Sequence, residues 1–118
     1  MADKKEPPNL DLLERISADF KDEPGVVMGT MFRSPGLRVG DKIFAFLGFE
    51  GRLIVKLPRD RAVELVDAGT AEEVVMGKRR MREWIAFPPQ EDRTATLSLW
   101  RDMAQEAHKY VDSLRQAT

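Results

Sequence analysis

The chain has 118 residues, 42% apolar and 33% charged, and its 19 basic and 20 acidic side chains leave a formal charge of −1. That composition suits one domain with one core, and near-neutrality argues against indiscriminate binding to nucleic acid, which depends on neutralising phosphates. Cysteine is absent, which excludes disulfides, thiolate chemistry and cysteine-held zinc.

No apolar run approaches the roughly 20 residues that cross a bilayer, and "MADKKEPPNL" lacks the apolar stretch of a secretory signal. The expectation is a cytoplasmic protein with a disordered tail over 1–8 and one domain over 9–118. Asn9 suits an N-cap, and Leu10, Leu13, Ile16 and Phe20 follow at helical spacing, predicting a helix over about 10–22 that Pro24 and Gly25 end.

The period then changes. "VVMGTMF", "GLRV", "KIFAFLGF" and "RLIVKL" are short, rich in β-branched and aromatic residues and separated by turn signals, which predicts an antiparallel meander. Pro35-Gly36 suits a type II turn, and Gly40-Asp41 and Glu50-Gly51 suit tight hairpin turns. Two-residue turns at the last two places set Leu37 against Phe44, Leu47 against Ile54, Phe46 against Val55 and Phe44 against Leu57. Leu37, Phe44, Phe46, Leu53, Val55 and Leu57 then form the core face. The opposite face carries Ile43, Leu47, Phe49 and Ile54 among Arg38, Arg52 and Lys56, too apolar for a simply solvated surface. These four apolar residues are the candidate protein interface, in a homodimer or with another protein.

Beyond Pro58, "RDRAVELVDAG" predicts a short helix with Gly69 as its C-terminal cap. "TAEE" resembles a capping box, Thr70 with Glu73, opening a further helical turn. A strand is expected from Gly77 to Pro88-Pro89, its alternation disturbed at Glu83 and Trp84 in a way that a bulge or a late start would repair. Last comes a helix capped by Asp92 or Thr94, with Leu97, Trp100, Ala104, Ala107, Val111 and Leu114 in one stripe. The fold class is therefore α+β: an antiparallel or mixed sheet packed by an N-terminal, a short middle and a long C-terminal helix.

No pattern carries catalysis. His108 is the only histidine and sits at the edge of the last helix's stripe, without the convergent partners that acid–base or metal chemistry needs. The acidic pairs Asp22-Glu23, Glu72-Glu73 and Glu91-Asp92 are adjacent in sequence, which suits solvation or helix starts better than a catalytic dyad. "GVVMGTMFRSPG" lacks the ending of a phosphate loop, and Gly-x-Ser-x-Gly is absent. No catalytic, cofactor-binding or metal-binding residue is assigned.

"VVMGKRRMREWIAFPP" remains. Lys78, Arg79, Arg80 and Arg82 precede Trp84, and cations interleaved with an aromatic suit phosphates and unstacked bases. Four such contacts give a salt slope of only about −3.6, a weak site, and the competing reading is a sheet edge protected by charge. These five residues are the candidate nucleic-acid or partner contact.

The order of "MFRSPGLRVGDKIFAFLGFEGRLIVKLPRDRAVELVDAG" and "MREWIAFPP" resembles the TfoX N-terminal domain family, and more distantly the MmcQ/YjbR-like domains. Met31-Phe32, Gly36, Phe44-Ala45, Lys56-Leu57, Gly69, Met81, Trp84 and Pro88 carry the likeness, over about 12–114. It implies a small α+β domain forming half of a bacterial competence regulator, with no catalytic residues to carry over. Arg33 stands where the family pattern has Gly, and the regulators' second domain has no counterpart expected here. Function is thus expected to be a non-enzymatic regulatory or interaction module, with DNA binding through 78–84 as the alternative.

Overall fold

The computed structural model describes residues 9–31, 34–48, 51–76 and 79–116. Its elements are α1 (Leu10–Ala18), β1 (Val26–Met31), β2 (Ser34–Val39), β3 (Lys42–Leu47), β4 (Leu53–Lys56), α2 (Arg59–Asp67), β5 (Glu72–Met76), β6 (Arg79–Phe87) and α3 (Arg93–Gln116). The strands form one antiparallel sheet in the order β1-β2-β3-β4-β6-β5. The α+β expectation holds, with helices at the start, middle and end of the chain.

Helix α1 is shorter than its spacing predicts and turns loosely after Ala18. Asn9 does not cap it with its side chain: the backbone is left-handed at φ 69°, and Nδ2 donates instead to the Gly51 carbonyl at 2.8 Å. Helix α2 ends as its sequence predicts. Gly69, at φ 80°, lets its own N–H reach Val66 O and that of Thr70 reach Leu65 O, both at 3.0 Å, a Schellman closure that only a residue tolerant of positive φ makes cheaply. Helix α3 starts at Asp92, whose Oδ1 accepts the Ala95 N–H at 2.7 Å.

Two turn assignments need correction. Pro35 and Gly36 lie inside β2, paired with Thr30 and Gly29, and the chain reverses between Met31 and Ser34. The missing Pro35 N–H costs nothing, because pairing of β2 with β3 starts only at Gly36. At the β3–β4 reversal, Gly48 N–H donates to Arg52 O at 2.8 Å and Gly51 N–H to Gly48 O at 3.2 Å, with Gly51 at φ 78°. Such a closure spends three residues, not two. Leu47 therefore pairs with Leu53, Phe46 with Ile54 and Ala45 with Val55, one step from the expected register, and such a step moves a side chain to the other face.

A bulge in β3 changes the face pattern further. Leu37 pairs with Ala45 but Arg38 with Ile43, so Phe44 is the extra residue and both Phe44 and Ala45 turn to the core. By contrast, Gly40-Asp41 is the two-residue turn its sequence predicts, joining Val39 to Lys42. "TAEE" does not continue as helix: Glu72 and Glu73 open β5, the edge strand beside β6. The ladder slips between Glu73 and Val74, where β6 has extra residues, so of the two repairs the alternation allowed, the bulge is present.

One core holds the fold together. Leu12, Leu13 and Ile16 come from α1 and Phe20 from the turn after it, Ala62 and Leu65 from α2, and Leu97, Trp100, Met103, Ala104, Ala107 and Val111 from α3. They meet Leu37, Val39, Phe44, Ala45, Leu47, Leu53, Val55, Leu57, Ile85 and Phe87 of the sheet. Ion pairs staple the layer: Arg93 with Asp11 and Arg101 with Asp19 join α3 to α1, and Arg61 holds Glu106 with two 3.0 Å bonds between α2 and α3.

Candidate functional site: the open sheet face

All three helices pack on one side of the sheet. Strand alternation puts Phe46, Ile54, Trp84 and Ala86 on the other side, in cross-strand rows of Phe46 with Ile54 and Ala86, and of Lys56 with Trp84. Among the described residues no helix covers this open face. The Phe46 and Trp84 rings meet edge-to-face at 5.5 Å, a geometry favoured by their quadrupoles. Lys56 Nζ stands 5.9 Å from the Trp84 ring centroid, within cation–π range.

Of the predicted interface residues, Ile43 and Ile54 are on this face, Ile43 partly exposed and Ile54 nearly covered by its neighbours. Leu47 is not: it is 1% exposed in the helix-side core. The register step exchanges it for Phe46, which sequence reasoning had placed in the core. Phe49 lies outside the described residues. The signal that could have found Phe46 was Gly51, since a left-handed Gly closes a three-residue loop as readily as a two-residue one.

Cations frame the aromatic centre. Arg38 extends along the face, its Nη1 3.2 Å from where a Cβ on Gly29 would stand, and its Nε donates to Gly40 O at 3.2 Å. Arg52 pairs with Glu72 at 2.6 Å across the row of Ile54 and Ala86. At one end the face runs into a cleft of about 690 Å³. It is lined by Asp41, Lys42 and Ile43, by Lys56 and Trp84, and by Val111, Leu114 and Arg115 at the end of α3.

The basic stretch divides. Lys78 lies outside the described residues. Arg79 and Arg80 pair with Met76 and Val75 of β5, and the side chains of Arg79, Arg80 and Arg82 are outside the description. Pairing of β6 with β4 runs to Trp84 opposite Lys56, with one further bond from Leu57 N–H to Glu83 O at 2.9 Å, so the β5–β6 hairpin projects past the end of β4 with its arginines on the projecting part. Lys56, not an arginine of the stretch, is the cation seen over Trp84.

His108, at the edge of the α3 stripe, is buried at 8% exposed. Its ring sits 5.2 Å from Phe20 and 5.3 Å from Phe44, a packing role away from the open face. Among the described residues, no group of three or more His, Asp or Glu side chains is placed to hold a metal ion, and no helix is long and apolar enough to cross a membrane. Shifted ionisations belong to structural contacts. Burial, followed by the Glu83 carboxylate that accepts its hydroxyl at 2.9 Å, raises Tyr110. Asp11 is lowered chiefly by its bond from Arg93, and Arg61 is raised chiefly by Glu106.

Comparison of the chain with models of protein families, with curated proteins and with solved structures found no match.

Proposed function

We propose that the protein is a non-enzymatic interaction module, regulatory in the sense that the TfoX N-terminal likeness implies, and that its open sheet face receives a protein partner. One observation carries the reading: the partly exposed Phe46–Trp84 pair lies on a face that no helix among the described residues covers, with Lys56 against the Trp84 ring and Arg38 farther along the same face. Aromatic anchors in a polar rim are what dominate protein interfaces. The rim favours a partner that presents an apolar side chain flanked by carboxylates.

A partner captured by the wild-type chain should be lost from Trp84→Ala and from Lys56→Glu, and kept by Val63→Ser, whose exposed side chain stands on α2. Equal capture by all four proteins would reject the face as the site.

A second reading keeps DNA as ligand, on the observation that the arginine-bearing hairpin projects beyond β4. It predicts salt-dependent fluorescence anisotropy with labelled DNA that vanishes when Lys78, Arg79, Arg80 and Arg82 become Ala. Binding unchanged in that variant would remove the strand as the contact.

A further inference from the structure

The sheet has two edges, and their sequences differ in kind. β5 begins with two carboxylates, Glu72 and Glu73, and its ladder is broken by the slip before Val74. Charges and bulges of this sort stop an edge from accepting another strand. β1 reads Val-Val-Met-Gly-Thr-Met. It has no charge, no proline and an unbroken six-pair register with β2, and Val27 is 45% exposed. Among the described residues no strand lies on its outer side, and an edge of this kind is a template for another strand.

Backbone alternation says which groups that strand would meet. Gly40 N–H donates to Gly25 O at 3.0 Å, so Gly25 is a hydrogen-bonded position of the β1–β2 ladder, and Val27, Gly29 and Met31 follow it. The N–H and C=O groups of Met28 and Thr30, and the C=O of Val26, therefore point outward. The Val26 N–H turns back to Glu23 O at 3.4 Å.

We propose that two copies of the chain pair antiparallel through β1, with Met28 opposite Met28 of the second copy on a two-fold axis. That register alternates as the outward groups require: Met28 exchanges hydrogen bonds with Met28, the Val26 C=O accepts from the Thr30 N–H at each end, and Val27 lies opposite Gly29 between them. A closely spaced, non-bonded pair suits a branched side chain facing a residue with none. The pairing also keeps like faces together. Met28 and Val26, which pack against the helix-side core, stay on that side opposite Met28 and Thr30, whereas an odd register would set core face against open face. An isologous contact of this type closes at two subunits. It also sets both open faces on one side of a continuous sheet, although it does not depend on the reading of those faces given above.

Sedimentation equilibrium of the full chain over a wide concentration range tests the pairing. The wild-type protein is expected at twice the 13.4 kDa chain mass. Thr30→Pro removes an outward N–H and leaves the β1–β2 ladder intact, and should give a folded monomer; Met28→Pro acts in the same way but also removes a side chain packed against the core. Val27→Lys, which adds charge beside the axis, should do the same and stands in if a proline variant fails to fold. Trp84→Ala should remain dimeric. In the dimer, exchange of the Met28 and Thr30 amides should slow as concentration rises. A wild-type chain that stays monomeric, or a dimer untouched by Val27→Lys and Thr30→Pro, overturns the proposal. A dimer that Trp84→Ala dissolves and Val27→Lys spares overturns it too, and assigns the contact to the open face.

Discussion

Leu47→Asn and Phe46→Asn, compared in the same experiment, test the register on which the open face depends. Leu47 is 1% exposed. Full burial of a leucine side chain is worth about 1.5–3 kcal/mol, and an amide buried without partners adds about 1–3 kcal/mol. Leu47→Asn is therefore expected to cost roughly 3–6 kcal/mol, against a total stability of about 5–15 kcal/mol for a domain. Phe46 is partly exposed and has Trp84 at its edge. Its replacement loses part of its burial and an aromatic contact, and the new amide reaches water, for roughly 1–2 kcal/mol. Urea unfolding followed by far-ultraviolet circular dichroism should show a large drop in midpoint for the first variant and a small one for the second, with similar m-values. A Phe46→Asn cost equal to or above that of Leu47→Asn would refute the register and, with it, the composition of the open face.

Tyr110 is the only tyrosine, so phenolate absorbance of the native protein should titrate above the ordinary value of 10.0, and Glu83→Gln should bring it part of the way down. Because its folded value is raised, the stabilisation is complete below pH 10 and is lost as pH rises through the folded value. Gly69→Ala should cost about 1 kcal/mol through backbone conformation, since nothing stands within 4 Å of the added Cβ, and Gly69→Asn should cost less; thermal unfolding measures both. Asp92→Ala removes the cap on Ala95 N–H and should cost about 1 kcal/mol, with Asp92→Asn near wild type in the same assay.

Much of this architecture is legible in local chemistry. The α2 stop at Gly69, the Gly40-Asp41 hairpin and the long stripe of α3 each rest on residues within a few positions of one another, and all three form as their spacing predicts. The failures share a cause that is not local. Glu50-Gly51 fits two loop lengths equally well, and choosing between them decides whether Phe46 or Leu47 enters the core. The Phe44 bulge shows only when β2 and β3 are laid side by side. Glu72 and Glu73 look like a helix start until Arg52, 20 residues earlier, supplies the partner for Glu72, and β6 supplies the ladder. His108 is buried because Phe20 and Phe44 come from distant parts of the chain to meet its ring.

The strand order also divides the chain into two assembly units. Residues 26–56 form a meander and 72–87 a hairpin, each closed by neighbours in sequence, whereas the β4–β6 ladder joins Leu53 to Phe87 only after the segment holding α2 has been drawn round. That loop's closure entropy must be met before the ladder returns a hydrogen bond, so late docking of two preformed pieces is the expected slow step in folding. A chain cut between Ala68 and Ala71 retains both local ladders and loses the tether together with the closure at the end of α2, and mixing the two fragments would show directly whether they reassemble. The α2 segment would then set how often the halves meet, a kinetic part separate from its packing on the core.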